Sequence, residues 1–329
     1  MEKIAFISGE TFLYWSPIIL AIAAVAAALS FIGLHMSVGG KTVGSFLVVP
    51  LAMVLALFFG RLVHWYCRPD SYESLNAALM DYSGGSYALV GVFAGCVLAV
   101  CICRLVGALK NLPKALDCMA LAGSLGICVG RLNHLFNGFD RGQVVDSIRS
   151  LPLVYPVENV LSGEPEYRLA TFMLQSIVAG ILFATLTVWY LVNKGRGKKR
   201  NGDACLLFLL CYGASQILLD STRYDSLFLR SNGFVSVVQI LGAVAVVVPI
   251  VLFSIRMVRA RGWKAWYIGI WMGIVACLTC AGFMEYFVQR RGNQASQFYN
   301  VMTLCLLATV VISFGIRFLA VRGEEKKQA

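Results

Sequence analysis

Charge is what this sequence lacks most. Of its 329 residues, 14% are Asp, Glu, Lys or Arg, where a soluble domain carries about 25%. With 59% hydrophobic residues and a mean hydropathy of +0.75, the deficit excludes a soluble globular protein. Acids and lysines are scarcest in the middle of the apolar runs, where a transporter's coupling ions would bind. No pair of interrupted helices recurs in matching halves either, and both absences argue against a transporter or channel. Low-complexity segments are missing. A cleavable leader is not expected, because Met1 to Phe12 is mixed and polar and the first long apolar run is followed by many others. Eleven cysteines are present, but most sit inside apolar runs as small packing residues. Cys277 and Cys280 form a CxxC without further ligands, whereas zinc takes four convergent ones, so no metal site is expected.

What remains is apolar sequence in blocks of about 20 residues, the length that crosses a bilayer. The expected fold is an all-α polytopic membrane protein of about nine transmembrane helices, near 17–37, 45–66, 86–108, 115–136, 169–193, 204–220, 234–256, 265–287 and 298–320. The net charge of +11 belongs to the loops, not to nucleic acid. With the N-terminus outside, seventeen of the 28 basic residues fall on inner segments, including the run Lys194 to Arg200. The positive-inside rule then sets the N-terminus outside and the C-terminus in the cytoplasm. The longest polar connection, about Asn137 to Tyr167, is outer. It contains Pro152, Pro156 and Pro165 and reads equally as a functional lid or a solvated connector.

Three arginines lie on the side this rule disfavours. Arg61 and Arg131 fall within the second and fourth spans near their outer ends, and Arg223 follows the sixth. "GRLVH" at Gly60–His64 is echoed by "GRLNH" at Gly130–His134. A charge at membrane depth is costly and faces a polar cavity or a partner. A lone arginine there snorkels as readily as it binds, and Trp65 and Tyr66 suit an aromatic belt. Three at one height point to a shared site, and the planar guanidinium fork matches phosphate. A cavity at the outer leaflet lined this way fits a phospholipid headgroup. His64, His134, Asn133, Asn137, Asp140, Asp220 and Asp225 supply further polar groups. Asp220, three residues before Arg223, can share a helical face with it. His64 and His134 are candidate proton acceptors, since imidazole titrates near neutral pH.

These residues resemble the prolipoprotein diacylglyceryl transferase family. "GRLNHLFNG" is similar to its signature, "GRLVHWY" to its second-span G-x-R-x-x-Y element, and "DYSGGSYALVGVFAG" to the glycine-rich entry to its third span. "YGASQILLDSTRYDS" is similar to its sixth-span stretch, and "YWSPIIL" is a looser echo in the first span. The resemblance implies a bacterial plasma-membrane enzyme with its active region toward the outer face. Such an enzyme takes phosphatidylglycerol and transfers the diacylglyceryl group to the lipobox cysteine thiol of a preprolipoprotein, without metal or organic cofactor. It implies headgroup-binding roles for Arg131, Arg61, Arg223 and Asn137 and a catalytic role for Asp220; His134 and Asp140, where the chain departs from the family, are expected to compensate as catalytic residues.

The chain also departs from the family pattern. The histidine before the paired glycines entering span three is Ser83 or Ser86 here, depending on alignment. His134 stands for the signature's first asparagine, and Phe139 for the glutamate after asparagine-glycine, with Asp140 one place later. Gln216 replaces the first arginine of the sixth-span motif, and Gln175 stands for a span-five glutamate. Residues 1–260 form the expected seven-span transferase-like domain, and 261–329 an additional two-span hairpin and tail. A catalytically silent relative that binds phospholipid or lipoprotein precursors is the alternative reading.

Overall fold

The computed structural model describes residues 4–8, 11–80, 87–145, 153–158, 163–195, 200–229, 232–290 and 295–328. A short hairpin of β1 (Ile4–Ser8) and β2 (Thr11–Tyr14) runs directly into α1 (Trp15–Ser37). Then follow α2 (Thr42–Cys67), the six-residue α3 (Leu75–Met80), α4 (Leu89–Leu105) and α5 (Leu112–Gly130). Next come β3 (Val154–Glu158), β4 (Pro165–Leu169), α6 (Thr171–Gly195) and α7 (Asp203–Ser221). The chain ends with β5 (Phe228–Leu229), β6 (Asn232–Ser236), α8 (Val237–Arg261), α9 (Trp266–Arg290) and α10 (Ala295–Gln328). Among the described residues eight helices are long and apolar enough to cross a membrane, and α4 is a shorter apolar helix of 17 residues. The polytopic all-α fold expected from composition is therefore present. The three two-stranded antiparallel hairpins were not expected. β1 and β2 occupy the polar start, and β3 and β4 lie inside the long connection, paired from Val154 with Leu169 to Glu158 with Pro165.

The chain divides into two compact units. One comprises Met1–Phe208 with Thr222–Val238; the other comprises Leu209–Ser221 with Gln239–Ala329.

In the first unit, glycine decides how closely helices approach. Gly91 and Gly95 lie four apart on α4, and a Cβ on either would meet the backbone oxygen of Phe59 or Leu55 on α2 at 2.1 or 2.4 Å. Small residues at this spacing let membrane helices pack backbone to backbone. Pro50 sits inside α2, as the bilayer's helices tolerate. Asn111 caps α5 by accepting the Lys114 N–H at 3.1 Å. The fully buried Asp117 carboxylate accepts the Gly202 and Cys205 N–H groups at 2.7 and 2.9 Å, satisfying donors at the start of α7 from the first turns of α5.

In the second unit α7 and α8 meet at facing glycines. A Cβ on Gly213 would lie 2.8 Å from the Gly242 oxygen. The α9 and α10 helices pack along each other, and the Tyr299 hydroxyl donates to the Ser221 carbonyl at 3.1 Å.

Candidate functional site

The α5 helix stops where its apolar run stops. After Gly130 the chain tightens into a 3-10 turn over Arg131–Leu135, and short polar side chains take over the backbone's bonding. Asn133 Nδ2 donates to the Gly130 carbonyl at 2.6 Å, and Asn137 Nδ2 donates to Asn133 Oδ1 at 2.8 Å. Asn137 Oδ1 accepts the Phe139 N–H at 3.1 Å, an Asx turn of the kind asparagine favours. Asp140 then adopts φ 56°, a left-handed conformation that aspartate tolerates better than most residues. The start of α1 closes one side, with Ser16 Oγ donating to Asn133 Oδ1 at 3.1 Å and Trp15 stacking on Phe136.

This local geometry aims the side chains inward. The Asp140 carboxylate, 5% exposed, forms ion pairs with both Arg131 and Arg223. His134 Nε2 lies 3.0 Å from Asp140 Oδ2, and its Nδ1 lies 2.8 Å from Asn137 Oδ1, so both ring nitrogens are engaged. Arg223 is held in place by a backbone bridge to Gly142 and by Asp225 at 3.1 Å. Asp225 Oδ2 in turn accepts the Asp140 N–H at 2.9 Å. Arg68, capping the end of α2, donates to the Asp225 carbonyl at 3.0 Å. Two guanidinium groups thus converge on one carboxylate, and the loop that presents the second is tied to two other helices' ends.

Arg61 belongs to a neighbouring cluster. It is 1% exposed, donates to the Tyr72 hydroxyl at 3.2 Å, and stands 5.2 Å from the ring centres of both Tyr72 and Tyr87. His64 Nδ1 meets the same hydroxyl at 2.8 Å. Cation–π contacts take up the charge here. The expected helical face shared by Asp220 and Arg223 does not form. The α7 helix ends at Ser221, and Arg223 is already a bridge residue. Asp220, 1% exposed, sits on the last turn of α7 in the second unit. Ser83 and Ser86 lie outside the described residues. Gln175 and Gln216 are buried, while Phe139 is half exposed.

Sequence reasoning missed Arg141. It is 2% exposed and sandwiched between Tyr155 and Phe172, 4.2 and 4.6 Å from their ring centres. Its Nη2 donates to the carbonyls of His134 and Asn137 at 2.8 Å each. Burial pulls its pKa down from the usual guanidinium range, and Tyr155 and Asp225 oppose that pull. Arg141 therefore clamps the signature turn against the start of α6 and the first strand of the loop hairpin. A fourth cation, directly after Asp140, was the available signal.

Fold and site together define a polytopic membrane protein with two arginines gathered on one buried carboxylate. The profile of the prolipoprotein diacylglyceryl transferase family matches residues 3–255, and the chain belongs to that family. It is similar to the phosphatidylglycerol–prolipoprotein diacylglyceryl transferase of Finegoldia magna, 26% identical over 253 residues that cover 74% of this chain and 94% of the relative. The transferase of that name from Streptococcus equi subsp. zooepidemicus is 28% identical over 203 residues, covering 59% and 73%. That of Lactococcus lactis subsp. lactis is 27% identical over 210 residues, covering 64% and 76%. The family match ends before α9 and α10.

Proposed function

We propose that this protein transfers the diacylglyceryl group of phosphatidylglycerol to the lipobox cysteine thiol of prolipoproteins, as a multi-pass enzyme of the bacterial plasma membrane. The observation that carries this reading is the convergence of Arg131 and Arg223 on a single buried carboxylate. Two forks aimed at one anion suit a phosphodiester, and Asp140 occupies the position such a group would take. In the reaction the cysteine thiolate attacks the diacylglyceryl carbon, the carbon–oxygen bond to phosphate breaks, and glycerol phosphate leaves. Arg131 and Arg223 neutralise the charge that grows on the departing phosphate. Asn137 and His134 hold the turn that presents Arg131, and Arg141 pins that turn. Asp140 acts as the resident anion that a headgroup displaces. Roles for Asp220 and for Arg61 as a direct headgroup ligand rest on the sequence alone. The positive-inside orientation puts the centre toward the outer face, where prolipoprotein cysteines emerge.

Engagement of both arginines by Asp140 also favours the silent, lipid-binding relative. One experiment separates the two readings. Purified protein is incubated with phosphatidylglycerol and a lipobox peptide, and the peptide is weighed by mass spectrometry. A diacylglyceryl gain on the cysteine, lost with Arg131→Ala, supports the transferase. No gain, while an authentic transferase works alongside, replaces it with the binding relative.

A further inference from the structure

A thiol must lose its proton before its sulfur becomes an effective nucleophile. The Asp140 and Asp225 carboxylates are committed to arginines. The side chains that take up a proton near neutral pH are the histidines, and the chain has three. His134 has both ring nitrogens engaged, by Asn137 and Asp140. His35 pairs with Ser45 near the far end of α1. Ser16, at the start of that helix, touches Asn133 of the anion centre, and nineteen helical residues set the two about 28 Å apart.

His64 differs from both. Its Nδ1 meets the Tyr72 hydroxyl at 2.8 Å, with the ring edge-on to Tyr72. Tyr72 is itself fixed by the Arg61 guanidinium, which donates to its oxygen at 3.2 Å and lies over its ring. Among the described residues no group bonds His64 Nε2. His64 is 7% exposed and the direction of its ring is set by a partner on the other nitrogen, the arrangement that orients a catalytic imidazole. Its backbone also leads to the anion centre. The Arg68 N–H donates to the His64 carbonyl at 2.9 Å, and the Arg68 side chain bonds the Asp225 carbonyl at 3.0 Å. Asp225 carries Arg223 and the Asp140 N–H.

We infer that His64 Nε2 is the proton acceptor for the lipobox thiol, with Tyr72 and Arg61 as its positioning residues. The inference rests on the transferase reading above. The step balances. The S–H proton passes to Nε2, sulfur forms the thioether with the diacylglyceryl carbon, and the carbon–oxygen bond breaks. Its electron pair leaves on glycerol phosphate, which then takes the proton back from the imidazolium.

The test uses two lipobox peptides, one with cysteine and one with reduced selenocysteine, whose selenol is ionised at neutral pH without a base. The full-length His64→Ala and His64→Gln proteins are compared with wild type in phosphatidylglycerol micelles, with thermal unfolding as the check on folding; glutamine retains a partner for Tyr72. With the cysteine peptide both variants are expected to lose about 10²–10⁴-fold in turnover, the usual size of a general-base contribution, with little change in KM for lipid. With the selenocysteine peptide they should run close to the wild-type rate. Equal losses on both peptides would make His64 structural, and undiminished transfer to cysteine would remove it from the reaction; either outcome overturns the inference alone. Wild-type protein that modifies neither peptide would overturn the transferase reading, and this inference with it.

Discussion

Replacing Asp140 by asparagine tests the idea that a lipid phosphate competes for a seat already held by a carboxylate. The substitution keeps the shape but removes the charge that Arg131, Arg223 and His134 share. Asp140 is 5% exposed, and the arginine side chains are 12% and 8% exposed, so solvent does little to compensate. Truncating one partner of a buried pair costs about 3–5 kcal/mol, because the other charge is left buried. For a chain of 329 residues that is a fall of roughly 4–7 °C in Tm. The missing anion can then come from outside. A phosphodiester binding the freed forks stabilises the variant by about 2.7 kcal/mol at a hundredfold excess over Kd. In the wild type the same lipid must first displace Asp140 and gains less. The assay is tryptophan-monitored thermal unfolding in detergent, with phosphatidylglycerol or uncharged diacylglycerol added. The variant should melt lower and recover more with phosphatidylglycerol than the wild type does, and diacylglycerol should produce no such difference. An unchanged Tm, or equal gains from the anionic lipid, would refute the competition.

Other substitutions probe the scaffold around this centre. Arg141→Lys keeps the charge but loses the flat stacking on Tyr155 and Phe172 and one of the two carbonyl bonds to the turn. It should cost about 1–3 kcal/mol and lower transfer, as unfolding and turnover measured together would show. Gly91→Ala drives a Cβ to 2.1 Å from the Phe59 oxygen, so α2 and α4 must separate; a loss of about 1–3 kcal/mol is expected by thermal unfolding. Asp117→Ala strips two bonds from the start of α7 and should destabilise by at least the roughly 1–2 kcal/mol of a lost helix cap. A C-terminal GFP fusion should fluoresce in bacterial cells while an alkaline phosphatase fusion stays inactive; the reverse pattern would overturn the orientation.

Much of the fold was legible because a membrane imposes a length rule on apolar runs. The hairpins were not. Met1 to Phe12 reads as a mixed, polar start, and only the pairing of Thr11–Tyr14 with Ile4–Ser8 shows strands there. Within the site, charge bias pointed to a place shared by Arg131 and Arg223, and the two do meet at Asp140. Their common partner was less visible, since Asp140 reaches them only through a left-handed turn that no periodicity announces. Arg61 looked equivalent to Arg131 in its pentapeptide, yet the tyrosines around it, Tyr72 and Tyr87, come from segments that sequence spacing does not bring to it. Arg141 was hidden for a related reason. Its burial depends on Tyr155, from the loop hairpin, and on Phe172, at the start of α6, closing over it.

The central claim is that the Arg131–Arg223 centre carries the phosphate of phosphatidylglycerol through the transfer. The most direct measurement counts glycerol phosphate released against thioether formed on a lipobox peptide, for wild type and for Arg223→Ala. The account predicts one released for each thioether formed with wild type, and loss of both in the variant while it still folds. Release without thioether, or full transfer by Arg223→Ala, would contradict it.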